Sequence, residues 1–232
     1  MKKTIKFFYN DFEDVKNLKD SELYVWTALK SIYNFNYEEV DTTIDGIYNI
    51  LTNIPTLHSN TDRSRIKLIS DGIKGLSNKG FIDIIFNKNR RYILNLSNIN
   101  KSSDNYYTFV DVESLINIIN KSSINIIKYL LYLLKCKEDN NNLYYFNISK
   151  KNIMEDLSMA NKTIDKYNKI LIDNKIIYIY KYNFLYKDSL QNIPSVYGLF
   201  EDREKIYKFC LSYIRQNIDK NIIKSTSSKK HL

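Results

Sequence analysis

The chain has few of the residues on which most phosphate-binding, metal and redox chemistry depends. Its 232 residues include five glycines, two prolines, two cysteines and two histidines. Glycines at 46, 72, 75, 80 and 198 are too sparse for the backbone cradle of a P-loop or a dinucleotide-binding turn. Cys136 and Cys210, far apart in sequence, supply neither a disulfide framework nor a cysteine-based zinc site, and they fit a reducing compartment. His58 and His231 form neither a paired-histidine metal site nor the base of a recognisable triad. The 20 tyrosines invite a nucleophilic tyrosine, yet the six arginines show no Arg/His/Lys grouping to stabilise a phosphorane. Glu38-Glu39-Asp41 and Glu201-Asp202-Glu204 read as solvated faces or helix first turns, where the dipole favours negative charge. No cofactor and no enzymatic activity are expected.

Long apolar runs are missing too. Ile124–Leu134 is interrupted by Asn125 and Lys128 and is too short to span a bilayer. Met1–Tyr9 starts like a signal peptide but meets Asn10, Asp11, Glu13 and Asp14 before an apolar segment forms. The expectation is a cytoplasmic protein without a membrane anchor.

What is present is positive charge and hydrophobic periodicity. A net charge of +9 and a pI near 9.2 favour encounter with polyanions. Abundant Lys, Asn, Ile and Tyr match the bias expected when an AT-rich genome sets codon use, so charge alone does not establish a nucleic-acid partner. The hydrophobic fraction of 44% suffices for real cores.

Apolar spacing predicts helices from Asp20 (Leu23, Trp26, Leu29), from Thr42 or Thr43 (Ile44, Ile47, Ile50), and from Thr61-Asp62 (Ile66, Ile69, Ile73, Leu76), the last ending at Gly80. Two strands follow, Phe81–Phe86 and Tyr92–Leu96, around a basic tip at 87–91. Residues 97–108, rich in Ser, Asn and Asp, read as a linker. A helical region over Val112–Lys137, broken near Lys121-Ser122-Ser123, opens a second half. It continues with a strand at Tyr144–Ile148, a helix to Leu157, a tight turn at Ser158–Ala160 and a helix over Asn161–Asp173. Strands at Ile176–Tyr180 and around Val196–Phe200 come next, then a closing helix to Asp219.

A segment around Thr61–Leu94 therefore recurs around Met159–Tyr180. Ile69, Lys74, Leu76, Phe81 and Ile82 align at constant spacing with Ile164, Lys169, Leu171, Ile176 and Ile177. A helix followed by a β-ribbon is how a winged helix-turn-helix ends. The expected fold is α+β, mainly α: two tandem winged helix-turn-helix domains at 1–100 and 109–220, a C-terminal helix closing the second, and a disordered basic tail at 221–232.

In a winged helix the third helix enters the major groove. In the first domain that assigns DNA contacts to Asn60, Thr61, Arg63, Ser64, Arg65 and Lys67, with Arg63 and Arg65 suited to guanine and Asn60 to adenine. Arg90 and Arg91 at the wing tip suit a narrow minor groove. In the second domain the set is Asn161, Lys162, Thr163, Lys166 and Lys169, without arginine, so backbone grip is expected to exceed base reading there. Tyr106-Tyr107, Tyr144-Tyr145-Phe146 and Tyr178/Tyr180/Tyr182 have the look of stacking platforms for single strands, but strand packing is the favoured reading.

Asn161-Lys162-Thr163-Ile164-x-x-Tyr167-x-x-x-Leu171-x-x-x-x-Ile176-Ile177 resembles the third helix and first wing strand of winged-helix replication proteins from plasmids and phages of low-GC Gram-positive bacteria. The two-domain plan is similar to tandem winged-helix replication initiators. That resemblance implies binding of double-stranded DNA at repeated origin sites, monomer and homodimer forms, and recruitment of host replication proteins. A transcriptional regulator and a conjugation, partition or replisome accessory protein share the same parts and remain as alternatives.

Overall fold

The structure is a computed structural model that describes residues 4–33, 38–52, 62–99, 106–139, 144–186, 189–192, 195–219 and 226–229. The fold is mixed α+β with small antiparallel sheets. Two compact units divide between Tyr132 and Leu133. That division falls within a helix and not in the 97–108 segment, because residues after that segment complete the first unit.

The first unit opens with β1 (Thr4–Phe8) and the short α1 (Asp11–Val15). It continues through α2 (Asp20–Ile32), β2 (Glu39–Thr43), α3 (Ile44–Ile50), α4 (Asp62–Asn78), β3 (Asp83–Lys88) and β4 (Arg91–Asn95). β5 (Tyr107–Asp111) then returns to pair antiparallel with β1, and α5 (Val112–Lys121) follows. α2 packs against both α3 and α4, burying Leu23, Trp26 and Leu29 with Ile47, Ile69, Ile73 and Leu76. Thr43 caps α3 by accepting the Gly46 N–H at 3.0 Å. The sheet order is β2-β4-β3. β2, absent from the sequence expectation, pairs with β4, which puts the last strand of the hairpin in the middle of the sheet. The hairpin turn is two residues long, Asn89-Arg90, both at positive φ, not the five-residue tip expected. Positive φ at both central positions is the mark of a type I′ turn, whose twist matches the flanking strands.

The helix α6 (Asn125–Asp139) carries the division. The second unit continues with β6 (Phe146–Ile148), α7 (Lys150–Leu157), α8 (Asn161–Asp173), β7 (Ile177–Tyr186), β8 (Ser189–Asn192), β9 (Ser195–Leu199), α9 (Arg203–Asp219) and β10 (Thr226–Lys229). Its central sheet order is β7-β9-β6. Ser149 caps α7 by accepting the Asn152 N–H at 3.1 Å, and Ser158 closes it in the left-handed region. β7 runs on to Tyr186, beyond the Ile176–Tyr180 strand expected, and its outer half pairs with β8. α9 seats Ile206, Cys210 and Ile214 on the sheet, while Tyr213 is exposed. The expected disordered tail also differs: Thr226–Lys229 extends the sheet along β7. The exposed edge of a ten-residue strand is a ready template for that addition.

The aligned repeat positions coincide in environment. Ile69, Leu76 and Ile82 are buried, as are Ile164, Leu171 and Ile177; Lys74 and Lys169 are exposed. The helix ends match bond for bond. Gly80 (φ 75) and Lys175 (φ 55) occupy the left-handed cap position, the Phe81 N–H bonds Leu76 O at 3.0 Å, and the Ile176 N–H bonds Leu171 O at 3.0 Å. Lysine at that position bears a Cβ penalty that glycine avoids. Lys175→Gly is expected to raise stability by about 0.5–1 kcal/mol, read as a higher urea midpoint with unchanged slope.

Candidate nucleic-acid interface

α4 is one turn longer than α8 at its N-terminus, and Arg63, Ser64 and Arg65 lie on that extra turn. Arg63 and Ser64 are exposed, as are Lys67, Asp71 and Lys74 farther along. Asn60 and Thr61 lie outside the described residues. Arg65 is placed differently from expectation. Its side chain is only 11% exposed, lies 3.6 Å from the Asp45 carboxylate and stacks over the Tyr48 ring at 4.4 Å, both on α3. Tyr24 of α2 extends this cluster, stacking on Tyr48 and donating its hydroxyl hydrogen to Tyr48 O at 2.9 Å. Arg65 joins α4 to α3, so its guanidinium is withdrawn from a base edge.

At the hairpin tip Arg90 is exposed on the turn. Arg91 is engaged. Its Nε donates to Asp41 Oδ1 at 2.9 Å and its second nitrogen to Asp41 Oδ2, a bidentate fork between neighbouring strands. The hydrogen bond from Arg91, more than its charge, holds the Asp41 carboxyl below the usual range. A phosphate would have to displace that carboxylate, so Arg90 is the freer of the two cations for a groove.

In the second unit Asn161, Lys162, Lys166 and Lys169 are exposed along α8, and Thr163 is half-buried. Ile164, Tyr167 and Leu171 face inward. Asp165, the carboxylate on this basic face, is bound by Lys150 of α7 at 2.5 Å, and the same ammonium bonds Asn161 Oδ1 at 3.2 Å. Lys150 was not among the expected residues. Its place at the first position after the Ser149 cap puts it at the corner of α7 and α8, and helix-start signals in the sequence mark that position. At the constant spacing of the repeat, Lys67 and Lys74 correspond to Lys162 and Lys169, whereas acidic Asp71 corresponds to Lys166. Asp165 in turn corresponds to neutral Ser70, so between the aligned lysines each helix carries one acidic side chain.

Among the described residues no cluster of His, Cys, Asp and Glu is grouped to hold a metal ion, and no helix is long and apolar enough to cross a membrane. The Cys210 thiol is buried, which pushes its pKa to about 12 and keeps it from nucleophilic use. Comparison with protein-family models, curated proteins and solved structures gave no match.

Proposed function

We propose that the chain is a sequence-specific double-stranded DNA-binding protein made of two winged helices, acting as a replication initiator of a plasmid or other mobile element. The observation that carries this reading is the plan the two halves share. Each has the order helix, strand, helix, helix, strand, strand, with β8 inserted before the final strand of the second, and β4 and β9 each lie between the two strands that precede them in that order, β2 and β3 or β6 and β7. Each also presents a basic third helix with its apolar side spent on its own core. Two such helices on one chain suit a non-palindromic or repeated site, which favours initiation over regulation from a single palindrome.

The two helices are assigned different work. Arg63 and Arg90 supply forked donors, which suit guanine and a narrow minor groove. Lys162, Lys166 and Lys169 act as point charges and grip phosphates. Arg63→Ala is expected to weaken binding to a cognate site about 5- to 100-fold with little change on random duplex. Lys67→Ala should weaken both alike and lower the salt slope by about one. Binding isotherms on the two duplexes across a salt series check this, and equal losses on both duplexes for Arg63→Ala would remove base reading from α4.

A further inference from the structure

The outward face of the β1–β5 ribbon is unlike the other sheet surfaces. Its inward residues Ile5, Phe7 and Val110 are buried. The register sets Lys6 opposite Phe109, Phe8 opposite Tyr107 and Thr4 opposite Asp111 on the other face. Tyr107 is 44% exposed and Phe109 is 59% exposed. Their centroids are 5.3 Å apart with planes at 74°, an edge-to-face contact and not a stacked pair. The Lys6 ammonium lies 3.8 Å from the Tyr107 centroid and 4.7 Å from that of Phe8. Asp111, the one carboxylate of this face, is turned to the start of α5, where it accepts from the Ser114 N–H at 3.0 Å and the Ser114 hydroxyl at 3.1 Å.

We propose that this face binds single-stranded nucleic acid, with a base stacked on Phe109, Tyr107 beside it, and Lys6 meeting the adjacent phosphate. Exposed aromatic rings offer no forked donor or acceptor to the base edges of a duplex, whereas unpaired bases bring their own π-faces to them. The outward register positions hold the exposed rings of Tyr107 and Phe109, the buried ring of Phe8, a cation, a threonine and an occupied carboxylate, with no aliphatic side chain that would suit a protein core. Charge is complementary: the chain carries +9, and Lys2 and Lys3 directly precede β1 in sequence. None of the residues assigned to duplex DNA takes part, so the site stands independently of that reading.

The test uses the full chain and a labelled oligothymidylate of about 12 nucleotides at about 150 mM salt. Phe109→Ala is expected to weaken oligothymidylate binding about 5- to 100-fold and to leave cognate-duplex binding unchanged. Lys6→Ala should lower the single-strand salt slope by about 0.7. Phe109→Trp is expected to retain binding with its emission quenched by the stacked base, read above the constant signal of the single native tryptophan, Trp26, which is fully buried. Wild-type affinity in Phe109→Ala would overturn the proposal. Self-association in sedimentation that Phe109→Ala abolishes, without oligothymidylate binding by the parent chain, would also overturn it and seat a second copy on this face. Loss of duplex binding in Arg63→Ala with intact oligothymidylate binding would support the independence of the two sites.

Discussion

Lys30→Met is expected to lower the unfolding free energy by about 3–5 kcal/mol. Lys30 and Asp11 form an ion pair at 2.5 Å in which each side chain is only 1% exposed. The lysine stem comes from the inward side of α2, with Trp26 one turn before it and the ammonium 4.7 Å from the Trp26 ring. Asp11 also accepts the Phe8 N–H at 2.8 Å, so one carboxylate ties β1, α1 and α2 together. Removing the cation leaves that carboxylate buried without its counter-charge. Adding Asp11→Asn, which keeps an acceptor for the Phe8 N–H, should recover most of the loss. Additive penalties in the double variant, measured by urea unfolding, would show that the two groups do not act as a pair.

The same pair gives a pH dependence of known sign. Burial pushes the Asp11 carboxyl from 3.8 up to about 6, with Lys30 only partly opposing it. Burial likewise lowers Lys30, against the pull of Asp11. The folded chain therefore holds the Asp11 proton more tightly than the unfolded chain does. Its contribution is full below about pH 4 and is lost as pH rises through about 6, a slope that Asp11→Asn should remove.

The second large effect lies at the seat of α4. Gly72→Leu is expected to cost about 3 kcal/mol and to weaken duplex binding with it. A Cβ at position 72 would overlap the Ser21 carbonyl oxygen and sit 2.5 Å from Val25 Cγ2, while one at Gly75 would overlap the Glu22 carboxylate. α4 thus lies with its backbone against α2. Glu22 is itself fixed, accepting from Lys79 at 2.5 Å and from the Lys19 N–H at 2.8 Å. Burial raises the Glu22 carboxyl, but these bonds outweigh it and hold the group below its usual range. The measurement is thermal or urea unfolding beside a binding isotherm. Wild-type stability in Gly72→Leu would mean that α4 does not depend on this close approach.

Much of this was legible because helices with a 3.6-residue apolar period declare both their extent and their inward face. α2, α4 and α8 follow the expected spacing closely. β2 was not legible, since Glu-Val-Asp-Thr-Thr has one large apolar side chain and becomes a strand by completing the β4 ladder. The 97–108 segment is polar by composition, yet Tyr107–Asp111 alternates and belongs to the first unit, a pairing with β1 that only tertiary structure reveals. For the interface, helical spacing alone could have placed Arg65: it precedes Ile69 by four residues and so falls on the inward stripe. Lys30, four residues after Trp26, carries the same signal. Asp11 and Asp41, the partners that engage Lys30 and Arg91, are distant in sequence and carried none.

Duplex reading by the two units is tested by selecting bound fragments from host and mobile-element DNA. At about 150 mM salt non-specific attraction is strongly screened, so enrichment reports sequence preference. The expected result is an enriched fragment in which footprinting finds an array of short direct repeats, with protection weakened by Arg63→Ala. A lone inverted repeat over a promoter would replace initiation with regulation, and no enriched sequence at all would contradict sequence-specific binding.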